Sequence, residues 1–200
     1  MWEIEEGFYA QGVKVICGVD EAGRGPLAGP VCAAAVILPA NLEIPGLTDS
    51  KKLTDKKRRE LFPVIKEQAI AYGIGLASEQ EIDELNILQA TYLAMCKAVE
   101  GLDIPADYAL IDGNRMPPLD IDGETIIKGD ATSYSIACAS ILAKVHRDRL
   151  MQKYDEEYKE YGFAKHKGYG TKAHVESIGL YFLTPIHRPS FCTKFVKGEK

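Results

Sequence analysis

Apolar and polar positions alternate over Val13-Lys-Val-Ile-Cys-Gly-Val19, a run rich in β-branched residues, and this pattern predicts a strand. The strand leads straight into the turn-rich stretch Asp20-Glu-Ala-Gly-Arg-Gly-Pro-Leu-Ala-Gly-Pro30. Val31 to Leu38 is a continuous apolar run closed by Pro39, which reads as a second, buried strand. Thr54 is placed to cap a basic helix reaching about Ala69, which Pro63 should bend or shorten. Ala69 to Ala77 reads as a third strand. Ser78 followed by Glu81 forms a capping box, and Ile82, Leu85, Leu88, Leu93 and Val99 recur at helical spacing, predicting one helix to about Glu100. Asp107–Gly113 is a short strand ending in a turn, and Thr125–Lys128 another. A long helix begins at Ser133 and turns polar near Tyr158. A glycine-punctuated loop, His166–Thr171, precedes a short helix around Ala173–Ile178. Strands come first, followed by alternating helix and strand, so the fold class is α/β, a mixed sheet with helices on its faces.

The 200 residues are 46% hydrophobic and 26% charged, ordinary values for a folded chain. No apolar run approaches the roughly 18 residues of a membrane helix, and the acidic start Met1-Trp-Glu-Ile-Glu-Glu does not read as a secretion signal. Cysteines at 17, 32, 96, 138 and 192 form no C-x-x-C pair. They suggest neither a disulfide framework nor a zinc site, and the expectation is a reduced, cytoplasmic, monomeric protein without a membrane partner. The net charge of -5 argues against a nucleic-acid partner until its distribution is considered. Residues 51–59 read Lys-Lys-Leu-Thr-Asp-Lys-Lys-Arg-Arg, and Lys165, His166, Lys167 and Lys172 form a second basic stretch. Either run can be a solvated surface, or a local site for a phosphate backbone on an otherwise acidic chain.

Four acids share a placement. Asp20 and Glu21 follow an apolar strand, Asp112 ends one, and Asp130 lies between a strand and a helix. Ligands of open α/β sheets collect at the carboxyl ends of strands. Carboxylates gathered there resist joint ionisation unless a cation shares the site, and an all-carboxylate set suits hard ions such as Mg²⁺ or Mn²⁺. Two such ions can activate water against a phosphodiester. Taken singly, each acid could instead be an N-cap or turn former. Gly23-Arg-Gly25-Pro-Leu-Ala28 also satisfies the dinucleotide-binding pattern G-x-G-x-x-G/A. Pro26, the Gly29-Pro30 pair and the neighbouring acids disfavour that reading, because the motif must open a helix against a pyrophosphate.

Gly18-Val-Asp-Glu-Ala-Gly-Arg-Gly-Pro-Leu-Ala-Gly-Pro-Val31 resembles the signature of the ribonuclease HII family. The likeness continues through Asp49-Ser-Lys-Lys-Leu53, Leu110-Ile-Asp-Gly113, Lys128-Gly-Asp130, Ser135–Asp148, His166-Lys-Gly-Tyr-Gly-Thr171 and Pro185-Ile-His-Arg-Pro-Ser-Phe191, in the family's order. The resemblance implies a ribonuclease H-like mixed sheet flanked by helices, with a small helical C-terminal portion. It implies one catalytic domain over 1–200, in which about 165–200 is an appendage contributing to substrate binding. The implied activity is endonucleolytic cleavage of the RNA strand of RNA/DNA hybrids, and nicking 5′ of ribonucleotides embedded in duplex DNA. Two Mg²⁺ or Mn²⁺ ions would be held by Asp20, Glu21, Asp112 and Asp130, leaving 3′-hydroxyl and 5′-phosphate ends.

The same resemblance assigns substrate contacts to Gly23, Arg24 and Gly25 at the 2′-hydroxyl and scissile phosphate, to Tyr169 at the adjoining sugar, and to Lys51 and Lys52 at phosphates. Lys144, Arg147 and Lys167 could extend that phosphate track, whereas Asp148 reads as a salt-bridge or capping acid. Cys138 stands where the family has a smaller residue and should be silent, and Pro189 is unusual in its motif. The sequence Asp-Glu-Ala-Gly-Arg-Gly, with no N-terminal extension before it, favours the HII over the HIII type. The longer C-terminal helices of some relatives, and any contacts they make, are expected to be missing. The competing class is a non-catalytic nucleic-acid-binding protein on the same fold.

Overall fold

The structure, a computed structural model, describes residues 1–196. It is built on a five-stranded sheet of β1 (Ile16–Ala22), β2 (Val31–Ile37), β3 (Ala71–Ala77), β4 (Tyr108–Asp112) and β5 (Asp122–Ile126), in the order β3-β2-β1-β4-β5. The sheet is mixed: β1 pairs antiparallel with β2 and parallel with β4. Every residue of β2 is buried, as its unbroken apolar run requires of a strand covered on both faces. One face of the sheet packs on α4 (Ile87–Glu100), the other on α2 (Asp55–Gln68) and α6 (Tyr134–Glu157). The C-terminal helices α7 (Phe163–His166), α8 (Lys172–Tyr181) and α9 (Pro189–Cys192) gather around Phe163 and pack against Leu27, Ala28 and Met151. No helix among the described residues is long and apolar enough to cross a membrane.

Several boundaries differ from the sequence pattern. β1 begins at Ile16 and runs through Asp20 and Glu21, which the pattern put into a turn. Backbone pairing continues to Ala22 opposite Cys32, and a ladder bond is indifferent to side-chain polarity. The helix expected over 78–100 divides into α3 (Glu79–Leu85) and α4 at Asn86, whose φ is +70°. Asn86 ends one helix and caps the next, its Oδ1 accepting from the N–H groups of Leu88 and Gln89. The capping box at Ser78 and Glu81 forms as expected, and so does the Thr54 cap. Pro63 neither ends nor shortens α2; it lies on the exposed side, where water can satisfy the carbonyl its ring leaves free.

An N-terminal helix, α1 (Glu3–Ala10), was missed, because three acids in its first turn mask a packed face. Its Glu5 is buried, and Oε1 accepts from the backbone and hydroxyl of Ser135 and the hydroxyl of Ser133, capping α6 from another helix. Asp130 sits in the single turn α5 (Gly129–Thr132), and α8 is longer than the pattern allowed.

Candidate active site

The parallel register of β1 and β4 puts Val19 opposite Ile111, so Asp20 and Asp112 stand on the next rung at the strands' carboxyl ends. Strand alternation turns both toward the α6 side and Glu21 toward α4, so the three acids straddle the end of the sheet. Asp20, Glu21 and Asp112 line one cleft of about 290 Å³ with Gly23, Ser50, Lys51, Arg58, Ser140, Lys144 and Tyr169. A second hollow continues past Glu21, Arg24 and Asp112 to Asn114 and Arg115. Asp130 is brought in from α5: the Asp112 Oδ1 accepts from Gly129 N at 2.6 Å and Asp130 N at 3.4 Å, tying the two acidic segments together.

Burial and mutual repulsion govern the site's charge. Asp20 is held well above the ordinary carboxylate range, first by burial and then by the charges of Glu21 and Asp112. Burial raises Glu21, with Arg24 opposing, and raises Asp112 with help from Asp130. Local cations offset this only in part. Arg24 lies 3.5 Å from Glu21, and the exposed Lys51 ammonium reaches to 2.7 Å from Asp130 Oδ2. That buried oxygen has no other partner among the described residues.

Among the described residues, no group of three or more His, Cys, Asp or Glu side chains is already arranged to hold an ion. The acids are held by backbone N–H groups and Lys51 instead. Their chemistry nevertheless fits a hard divalent cation: all donors are carboxylate oxygens, they repel one another, and Asp130 keeps a buried oxygen short of partners.

The remaining expected residues divide. Gly23, Lys51 and Tyr169 line the acidic cleft, and the Tyr169 ring is the nearest group to a Cβ built on Gly25, at 3.7 Å. Arg24 is half-exposed beside Glu21. Lys52 turns toward Asp49, 4.0 Å away, and does not line the cleft. Asp148 pairs with Lys144 at 2.7 Å, as a salt-bridge acid should, and Cys138 is buried.

Arg147 corrects the phosphate-track expectation. It is buried and spends its guanidinium on the carbonyls of Pro30, Ala28 and Lys167. The Lys167 ammonium is likewise committed, to the Ala164 carbonyl. Ser50, Ser140 and Arg58 in the cleft, and Asn114 and Arg115 beyond it, are site residues that no sequence signal marks individually. All but Asn114 and Arg115 lie within runs the sequence had flagged, yet only the fold shows which members face inward.

Tyr169 is anchored from behind by buried histidines. His174 Nδ1 donates to the Tyr169 carbonyl at 3.0 Å, so neutral His174 accepts at Nε2 from His187 Nε2, also at 3.0 Å. His187 Nδ1 then accepts from the Thr184 amide and hydroxyl. His166, stacked on His174, donates to the Tyr161 carbonyl. Burial pushes His174 and His187 down to about 4, with the neighbouring imidazoles adding to the shift. These folded values lie below the unfolded one, so the native state binds fewer protons and loses stability as pH falls from about 6.5 toward 4. The expected cost is about 3 kcal/mol for each histidine that must charge. In an NMR titration neither imidazole should protonate above about pH 5; titration near 6.5 would contradict the network.

Comparisons with known proteins identify the family. The profile of the Ribonuclease HII family matches residues 17–194. A "Ribonuclease HII" of Clostridioides difficile (strain 630) is 57% identical over 183 residues, covering 92% of this chain and 72% of that protein. One from Syntrophotalea carbinolica is 56% identical over 187 residues, covering 94% and 90%. The crystal structure of the ribonuclease H2 from Pyrococcus horikoshii OT3 superposes with a TM-score of 0.77 at 28% identity, over 91% of this chain and 97% of that one. The match spans the acids at the ends of β1 and β4, the Gly23–Gly25 loop and the Tyr169 segment alike, and on that extent this chain belongs to the ribonuclease HII family of metal-dependent, ribonuclease H-type endonucleases.

Proposed function

We propose that this endonuclease hydrolyses the RNA strand of RNA/DNA hybrids and also nicks duplex DNA on the 5′ side of an embedded ribonucleotide. The observation carrying this reading is the shared cleft, in which three mutually repelling carboxylates face a tyrosine ring and a glycine loop. Asp20, Glu21, Asp112 and Asp130 would hold two divalent ions, Mg²⁺ or Mn²⁺, which when bound supply an acidified water and charge neutralisation at the phosphate.

The chain's own residues do the rest. Lys51 and Arg24 neutralise the acids until a phosphate enters, then offer their charges to it. Gly25 leaves the backbone bare beside Tyr169, so a ribose can approach the loop while the ring covers the next sugar. Gly23 belongs to the same loop, and Lys52 contributes a phosphate contact farther out. The helices of 165–196 take part in substrate binding because Tyr169 hangs from them. A monomer in a reducing cytoplasm is the working assumption, and the five free thiols suit that compartment.

Product chemistry tests the reading. With Mg²⁺ or Mn²⁺, a labelled RNA/DNA hybrid should yield 5′-phosphate and 3′-hydroxyl ends, and EDTA should abolish cutting. Ends carrying 2′,3′-cyclic phosphate would identify the 2′-hydroxyl as nucleophile and overturn the hydrolytic assignment.

A further inference from the structure

Arg188 is wholly buried, and it forms no ion pair with a carboxylate among the described residues. Its five N–H groups are instead matched by five hydrogen bonds to main-chain carbonyls. Nε and Nη2 donate to Gly29 at 2.9 and 2.6 Å, Nη2 also to Gly23 at 2.6 Å, and Nη1 to Arg24 at 3.0 Å and Pro26 at 2.8 Å. Arg147 takes the next carbonyls, Ala28 and Pro30, and packs where a Cβ on Gly23 would fall. The segment bearing Arg188 is itself pinned to the loop: Gly29 N donates to Ile186 and Arg188 N to Leu27, both at 2.8 Å.

A trans peptide unit points its carbonyl and the following N–H in opposite directions. Turning the Gly23 and Arg24 carbonyls inward onto Arg188 therefore turns the N–H groups of Arg24 and Gly25 away from it. Neither amide has a backbone partner among the described residues. The Leu27 amide, which follows the Pro26 carbonyl, obeys the same rule and donates away from Arg188, to Gly168. Two adjacent outward N–H groups make a donor pair for an oxygen, and Gly25 places that pair beside the Tyr169 ring.

We propose that Arg188 is the positioning residue of ribonucleotide selection: by holding the Gly23 and Arg24 carbonyls inward, it aims the Arg24 and Gly25 amides at the ribose 2′-oxygen. This rests on the reading of that loop as the ribose-binding element. Lysine at 188 would keep the charge, but its three donors on one nitrogen do not span the same carbonyls.

The test compares single-ribonucleotide duplexes with duplexes carrying a 2′-fluoro nucleotide at the same position, since fluorine keeps the sugar shape but accepts hydrogen bonds poorly. Arg188→Lys should lose about 100-fold in kcat on the ribonucleotide with KM within about threefold, and its ribo-to-fluoro selectivity should fall at least about tenfold. A merely structural lesion scales both substrates equally, so an unchanged ratio in the folded variant overturns the proposal. Should the wild-type enzyme cut both substrates equally, the ribose-binding reading of the loop fails first. Should Arg188→Lys not fold, amide exchange on the wild-type protein decides. The Arg24 and Gly25 amides should exchange fast when free and be slowed by a ribonucleotide duplex in EDTA; protection already present in the free protein would overturn the proposal.

Discussion

Asp112→Asn is expected to lower cleavage of an RNA/DNA hybrid by about 1,000-fold or more while leaving the protein folded. The substitution keeps the Oδ1 acceptor that receives the Gly129 and Asp130 amides, so the bridge between β4 and α5 survives. What disappears is a charge that the native fold tolerates poorly, since burial and Asp130 both hold Asp112 above the ordinary carboxylate range. Melting should therefore stay level or rise in metal-free buffer. Turnover at saturating hybrid and a thermal melt check both halves. Near-normal turnover would remove Asp112 from the reactive centre; a collapsed melt would make its role structural.

Gly23→Ala should cost about 3–5 kcal/mol of stability, a drop of about 10 °C in melting temperature for a chain of this size. Two penalties add. The φ of +96° is one that a side chain adopts only with strain. A Cβ would also stand 2.0 Å from Arg147 Nε, 2.4 Å from its Cδ and 2.9 Å from the Pro30 carbonyl. Arg147 is buried by packing and by its three carbonyl bonds, so it has little room to retreat, and its displacement would strand those carbonyls. A thermal melt within 2 °C of the wild type would contradict this packing. Gly25, by contrast, meets only the Tyr169 ring at 3.7 Å, so its lack of a side chain serves the cleft rather than the core.

Much of the site was legible because its geometry is local. Asp20 and Asp112 stand at the ends of runs whose β pattern is plain, and neighbouring parallel strands bring such ends together. Which side of the sheet each acid faces was not legible, since it depends on β1 continuing past Val19, and that is decided by Cys32 on another strand. Arg147 and Arg188 mark a different limit. Arg147 reads as a possible phosphate ligand and Arg188 carries no reading beyond its motif; only the fold reveals that loop carbonyls spend the donors of both internally. Asn86 divides a helix whose apolar spacing runs unbroken through it, because one residue at positive φ leaves the periodicity on either side intact. The acids of α1 concealed a packed helix for a related reason: Glu5 is buried on serine hydroxyls of α6, distant in sequence.

A labelled DNA duplex carrying one ribonucleotide, incubated with the protein and Mg²⁺ or Mn²⁺ beside EDTA and all-DNA controls, decides whether this cleft performs metal-dependent cleavage at a ribonucleotide. The expected product is a single nick on the 5′ side of the ribonucleotide, absent in EDTA and absent from the all-DNA duplex. Cutting that persists in EDTA, or that falls on the all-DNA duplex as well, would contradict it.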